Sequence, residues 1–259
     1  MDRLILTRYL YSFIDVRQSM FLNILDGNYE EALYWAYELY WSGYTESTFE
    51  HLLETYDMMF IKDEIIKKRM RGEYNKWRLD NSLYENIGTI VINMCFQSYS
   101  ISKFVDKFFN IKCNDISKGS RRVGSNLYIN INKKDVEKYC IDYDDEKRYK
   151  ILGMEYKYNL RTEYSKVFQL EDIDIDIEKR RVELLSNWEY YAYKCPYWRD
   201  AIENNRGKIE NEKVIFESDD MLEEFYEKYG LEIEEQSLKI IDIALGITGG
   251  AQKTMKEFI

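Results

Sequence analysis

The sequence has few of the residues that build tight turns, metal sites and disulfides. One proline and 12 glycines in 259 residues argue against an all-β sandwich or barrel, which needs many turns. A single histidine, His51, and four cysteines without a C-x-x-C pair argue against zinc centres, Cys-His nucleophiles and disulfide frameworks. We therefore expect reduced thiols, no cofactor, no metal site and no catalytic residues.

Long apolar runs are also missing. The longest apolar stretches are interrupted within about ten residues, well below the roughly 20 that span a bilayer. The opening M-D-R-L-I-L-T-R-Y-L is too short and too interrupted for a secretion signal. These features predict a soluble cytoplasmic protein that makes no membrane contact.

Charge is unevenly distributed along the chain. The formal net charge is −10, and a protein built to hold duplex DNA is more often basic overall. Two segments are nevertheless basic: Lys62–Arg78 has seven bases and three acids, and Lys112–Lys134 has six bases and one acid. Residues 210–242, by contrast, contain 12 acids and 3 bases. A local basic face on an acidic protein is therefore one expectation.

Apolar residues at helical spacing predict an all-α fold. Capping boxes at Asp15–Gln18 and Asn28–Glu31, a cap at Thr45, and stops at Gly27 and Gly43 delimit three helices. Their short connections force neighbouring helices to run antiparallel, so we predict stacked helical hairpins in a HEAT-like or related array. Later helices are predicted at 177–194, 197–205, 218–230 and 237–245, with at most a small β-hairpin at 208–216.

The predicted organisation has three parts. Residues 1–109 form an N-terminal helical-hairpin array, residues 110–134 a basic loop, and residues 135–259 an acidic helical region packed on the same array. Within the first part, Phe104–Phe109 is predicted as an apolar helix face. Within the second, Leu127–Ile131 is predicted as a short strand.

Aromatic side chains are the main candidates for a partner-binding surface. Trp35 and Trp41 lie about 600° apart on a helix, so they cannot share one stripe with the neighbouring apolar residues. Either this helix is buried nearly all round, or part of the cluster faces a partner in the manner of an interface hot spot. The candidates are Trp35, Trp41 and Tyr44, with Trp188 and Trp198 posing the same question later in the chain.

The basic loop is the second candidate site. Gly119-Ser-Arg-Arg-Val-Gly124 has phosphate-loop spacing but lacks the lysine that reaches the β- and γ-phosphates. Lys118, Arg121 and Arg122 are instead candidates for contact with nucleic acid or an acidic partner. Asp172, Asp174 and Asp176 alternate as in a calcium loop, but Ile177 occupies the position that needs glycine, so no calcium site is predicted.

Two segments carry a family resemblance. D-V-R-Q-S-M-F-L-N-I-L-D-G-N-Y-E-E-A-L-Y-W-A-Y-E-L-Y-W-S-G-Y (15–44) and F-Y-E-K-Y-G-L-E-I-E-E-Q-S (225–237) resemble uncharacterised helical proteins of large nucleocytoplasmic DNA viruses. The first hairpin is also similar in style to the helical repeats of the scaffold subunit of the cap-binding translation initiation complex. The resemblance implies a helical scaffold that works without catalysis.

Together these observations predict a non-catalytic scaffold or adaptor that binds other proteins. The resemblance suggests a role in viral gene expression, with translation initiation as its most specific form, in the host cytoplasm. The alternative is a nucleic-acid-binding subunit that holds RNA or single-stranded DNA on its basic segments. An enzyme with a carboxylate-bound metal ranks third.

Overall fold

The structure is a computed structural model that describes residues 4–60, 63–100, 117–118, 128–140, 158–161, 177–229, 233 and 236–246. These residues are mainly helical, as predicted, with only short antiparallel strand pairs. In chain order the elements are α1 (Phe13–Asp26), α2 (Tyr29–Trp41), α3 (Thr45–Met59), α4 (Glu64–Leu79), α5 (Glu85–Cys95), β1 (Tyr99–Ser100), β2 (Ser117–Lys118), α6 (Lys133–Val136), a 3-10 turn (Glu137–Tyr139), α7 (Ile177–Ala192), α8 (Pro196–Asn204), β3 (Lys208–Glu210), β4 (Lys213–Ile215), α9 (Asp219–Tyr229) and α10 (Leu238–Ala244).

Glycines and polar caps set several helix ends where the sequence places them. Gly27 and Gly43 follow α1 and α2 with φ of 71° and 88°, the left-handed conformation that glycine adopts without strain. The Ser237 side chain accepts a hydrogen bond from the Ile240 N–H at the start of α10. The predicted hairpin is present as β3 and β4, in the register Lys208 to Ile215 and Glu210 to Lys213.

Other predicted boundaries differ from the structure. Helix α1 begins at Phe13 rather than after Asp15, so Asp15 lies within its first turn, where its buried carboxylate is 3.7 Å from Arg180. Helix α7 contains a non-helical residue, Asn187, whose side-chain amide donates to the Glu212 carbonyl at 2.8 Å. The predicted helix at 104–109 lies outside the described residues.

The chain divides into two compact units. One includes the described residues up to 18, residues 38–44 and the described residues from 158 to 246; the other includes residues 19–37 and the described residues from 45 to 140. Helices α1 and α2 contribute residues to both units. The three-part organisation into 1–109, 110–134 and 135–259 stays a prediction.

The first unit has an aromatic core with buried polar groups beside it. The Trp188 ring lies edge-on to Trp198, with centroids 5.5 Å apart, and stacks with Phe225 at 6.2 Å. The Trp198 ring N–H lies within hydrogen-bonding distance of the Thr7 and Arg8 carbonyls, at 3.2 and 3.1 Å. Satisfying this donor allows the indole to be buried completely.

The second unit packs α3, α4 and α5 together with residues 128–140. The Asn93 side chain on α5 accepts from the Ile129 N–H at 3.0 Å and donates to the Ile129 carbonyl at 2.7 Å. Thr89 Oγ1 accepts from the Ile131 N–H at 3.1 Å. Residues 128–131 are therefore held by side chains of a helix, and the described part of the predicted strand at 127–131 is not a strand.

Candidate interaction surface

Three of the five aromatic candidates are core residues. Trp35 and Trp198 are 0% exposed and Trp188 is 3% exposed. Their ring contacts are internal: Trp35 lies edge-on to Tyr34, and Trp188 and Trp198 pack against each other. This corrects the expectation of a surface role for these three side chains. Residues 32–40 of α2 are all buried, as in the alternative of a helix buried nearly all round, whereas α7 and α8 each keep an exposed face.

The other two aromatic candidates are partly exposed but held by their surroundings. The Trp41 ring packs edge-on against Tyr40, with centroids 5.0 Å apart. The Tyr44 hydroxyl lies 3.4 Å from both the Leu6 and Lys194 carbonyls, and its ring contacts Phe13. Burial raises the pKa of Tyr44. The contacts of Tyr44 fix its ring within the unit and leave little of it for a partner.

The basic-loop candidates fall largely outside the described residues. Lys118 lies on β2, where its backbone pairs with Tyr99 of β1. Arg121 and Arg122 lie outside the described residues, as do Asp172, Asp174 and Asp176. The structure therefore places one of the three candidate cations, on a strand, and does not bring the three together.

A buried polar cluster surrounds Glu38 in the first unit. Its carboxylate accepts from Arg8 Nε at 3.0 Å and from the Tyr9 N–H at 3.1 Å. The Ser42 hydroxyl donates to the Glu38 carbonyl at 2.6 Å, and the Cys195 thiol to the Ser42 carbonyl at 3.1 Å. Burial raises the pKa of Cys195 to about 11, which leaves a weakly nucleophilic thiol. The cluster is therefore a structural network.

Helix α4 presents the most distinctive surface, and its orientation follows from its first turn and its apolar residues. The Asp63 carboxylate caps the helix by accepting from the Ile65 and Ile66 N–H groups at 3.0 and 3.2 Å. Ile66, Met70 and Trp77 are buried, at the spacing of one helix face. Because this face packs against the core, the opposite face points to solvent.

One arc of the exposed surface of α4 combines apolar and basic residues. At about 100° of rotation per residue, six positions fall within an arc of about 100°. Two of them are large apolar residues, Ile65 at 66% and Leu79 at 90% exposed. We define the α4 stripe as Ile65, Lys68, Arg69, Gly72, Lys76 and Leu79.

The cations of the α4 stripe differ in how they are paired. Lys68 makes no ion pair with any residue that the structure describes, and the Arg69 guanidinium lies 5.3 Å from the centroid of the Tyr128 ring. Lys76 pairs with Glu73 at 2.9 Å. The stripe itself contains no acid, so it presents net positive charge between two exposed aliphatic residues.

Cations on the flanks of α4 are neutralised by neighbouring helix α3. Arg71 pairs with Asp57 at 3.1 Å, and Lys67 pairs with the same carboxylate at 2.6 Å. Arg78 lies 4.0 Å from Glu46. These pairs neutralise cations on the α3 side of α4.

The sequence marks 62–78 as basic, and the structure forms a helix there, α4, that is not among the predicted helices. The signal was present: Asp63 and Glu64 mark an N-terminus, and the buried residues Ile66, Met70, Glu73 and Trp77 recur at intervals of four, three and four. Once the helix is recognised, the same spacing separates its solvent face from its buried face.

The described residues add no metal or membrane feature to this surface. In those ranges no group of three His, Cys, Asp or Glu side chains is placed to hold a metal ion. No helix in the part of the chain that the structure describes is long and apolar enough to cross a membrane. Comparison of the chain with protein-family models, curated proteins and solved structures gives no match.

Proposed function

We propose that the chain is a non-catalytic adaptor that binds other proteins through the α4 stripe. The observation that carries this proposal is the exposure of Ile65 and Leu79 at the two ends of a positively charged helix face. Exposed large aliphatic residues are costly in water. A protein partner that covers them offsets this cost, and the cations between them would select its charge.

Nucleic acid is the second candidate, and the stripe supports it less well. Single-stranded nucleic acid binds to cations combined with exposed aromatic rings on which bases stack. The aromatic residues of α4 are Trp77, which is buried, and Tyr74, which is half-buried, and both pack against Phe49. The exposed apolar residues of α4 are aliphatic. The nucleic-acid alternative therefore depends on Lys118, Arg121 and Arg122 in addition to the cations of α4.

The biological setting of the adaptor rests on the resemblance of residues 15–44 and 225–237 alone. On that basis we place it in viral gene expression in the host cytoplasm, with translation initiation as the most specific form. The identities of its partners will distinguish translation from transcription and assembly.

Affinity capture of the tagged chain from cells that produce it tests the adaptor proposal. The chain is captured with and without nuclease, as wild type and as the double variant Ile65→Ser/Leu79→Ser. Val182→Ser is the matched control, because Val182 is 62% exposed on a different helix, α7. We expect nuclease-resistant protein partners that the double variant loses and the control retains.

Two results would contradict the adaptor proposal. Partners that disappear with nuclease would favour the nucleic-acid alternative, especially if binding also weakens steeply with salt. Partners that the double variant and the wild type retain equally would show that the α4 stripe is not the binding surface.

A further inference from the structure

A glycine stands at the centre of the α4 stripe, where neither its backbone conformation nor its contacts with the described residues require one. Gly72 lies in the middle of α4, where glycine is less favourable than alanine. It is absent from the residues with positive φ, so the backbone does not require it. A Cβ built on Gly72 meets no atom within 4 Å among the residues that the structure describes.

The neighbouring helix shows the contrast. Gly88 on α5 is required by packing, since an added Cβ would lie 2.8 Å from the Tyr37 hydroxyl and 3.3 Å from Ile131. Gly88 therefore allows close contact within the chain. Gly72 is half-buried, yet an added Cβ would meet open space there.

The missing side chain forms a shallow depression between cations. Lys68 and Arg69 lie one turn before Gly72 and Lys76 lies one turn after it, all on the α4 stripe. Helices pack with their axes 8–10 Å apart, and the side chains at the crossing point set this distance. A glycine at that point allows a partner backbone to approach more closely than any other residue would.

The two aliphatic residues define how long the partner is and how it lies. Ile65 and Leu79 are 14 positions apart, which is about 21 Å along a helix axis. A partner helix that crosses at Gly72 stays in contact with both ends only if the crossing angle is shallow, as in the class near 20°. Such a helix needs about 14 residues or more.

From these features we propose that the partner of the α4 stripe is an acidic amphipathic helix, crossing α4 at Gly72 at a shallow angle. Its apolar residues cover Ile65 and Leu79, and its carboxylates face Lys68, Arg69 and Lys76. This inference rests on the proposed adaptor function and names the partner of the same surface. A phosphate backbone would engage the cations without any need for the glycine.

Selection from a displayed peptide library tests the identity of the partner. Helical peptides of 18 residues share one apolar face and carry acidic, basic or neutral polar faces, and they are selected on the immobilised full-length chain. We expect acidic peptides to be enriched. Enrichment of basic or neutral peptides, or selection of none, would overturn the proposal.

Variants at Gly72 test the crossing point with a selected peptide. Fluorescence anisotropy should show binding to Gly72→Gln weakened about tenfold, because a side chain inserted into a close-packed contact is strongly unfavourable. Gly72→Ala should bind more weakly than wild type although its fold is more stable. The control, Asn75→Gln, enlarges an exposed side chain of α4 outside the stripe and should bind as wild type does. Unchanged affinity in Gly72→Gln would overturn the crossing at Gly72.

Partner capture with two variants distinguishes a wrong helix-crossing geometry from a wrong adaptor function. If captured partners are lost in Ile65→Ser/Leu79→Ser but retained in Gly72→Gln, the adaptor function stands and the helix-crossing geometry is wrong. If the first variant loses no partner, the adaptor function itself is wrong at this surface.

Discussion

Replacing Arg8 with methionine should destabilise the first unit strongly, because the buried Glu38 carboxylate would lose its ion pair with Arg8. The Glu38 side chain is 1% exposed, and Arg8 Nε lies 3.0 Å from its Oε2. Methionine fills much of the arginine stem volume and removes the charge. The substitution therefore isolates the electrostatic contribution from the packing contribution.

The expected loss follows from the burial of the pair. Removing one partner of a buried ion pair costs about 3–5 kcal/mol, because the remaining charge is left uncompensated. For a domain of 150–250 residues, 1 kcal/mol shifts the unfolding midpoint by roughly 2–4 °C. We therefore expect Arg8→Met to lower the midpoint of the unit that contains Glu38 by about 6–20 °C.

The stability lost in Arg8→Met should depend on pH, and the pKa of Glu38 determines whether the loss grows or shrinks as pH rises. Burial raises this pKa, and the Arg8 guanidinium opposes the rise, so Arg8→Met raises it further. For a carboxyl group whose pKa is higher in the folded than in the unfolded chain, the stabilising contribution is present at low pH and is lost as pH rises through the folded pKa. The deficit of Arg8→Met should therefore grow with rising pH and shrink with falling pH.

Glu38→Gln provides the matched control. Glutamine keeps an oxygen that accepts from the Tyr9 N–H but carries no charge. The double variant Arg8→Met/Glu38→Gln should recover at least half of the lost stability and should lose the added pH dependence. Thermal unfolding, with hydrogen exchange of the Tyr9 amide to report on this unit, measures both. A loss below about 1 kcal/mol in Arg8→Met, or no recovery in the double variant, would refute the reasoning.

Three further substitutions in the second unit are expected to change its stability, one by increasing it and two by decreasing it. Thermal unfolding measures each change. Gly72→Ala should stabilise by about 0.5–1 kcal/mol, because it replaces glycine at an unobstructed helix position. Gly88→Ala should destabilise by about 1–3 kcal/mol, since its Cβ would lie 2.8 Å from the Tyr37 hydroxyl; the same sign for both glycines would contradict the packing that the structure shows. Asn93→Ala should destabilise by about 1–3 kcal/mol by leaving the Ile129 N–H and carbonyl without their helix partner, and an unchanged midpoint would show that water replaces the amide.

Local rules account for the parts of the fold that could be predicted. Gly27 and Gly43 end helices because they adopt positive φ, and Ser237 begins one because its side chain satisfies an N–H in the first turn. Each of these depends on residues within one turn of each other. The prediction failed at Asp15, whose carboxylate faces Arg180 far along the chain.

Contacts between residues far apart in the sequence determine whether the aromatic candidates are buried or exposed. A single sequence does not reveal these contacts. The ring N–H of Trp198 donates to carbonyls 190 or more positions away, and this pairing is what allows its burial. Helix rotation shows that one stripe of α2 cannot hold both Trp35 and Trp41. It does not show whether the remaining faces of the helix meet the core or solvent, because that depends on contacts with other segments of the chain.

Helix α4 shows why a charge count is a poor guide to a binding surface. Seven bases and three acids within Lys62–Arg78 suggest a uniformly basic segment. In the structure, Arg71 and Arg78 are paired with carboxylates of α3, so they contribute little net charge to a partner. The charge that matters is the part that helix rotation leaves on the solvent stripe with Ile65 and Leu79. Gly72 lies on that stripe, where glycine weakens the helix and an added Cβ would meet no atom of the described residues. This is why we propose a partner for this surface.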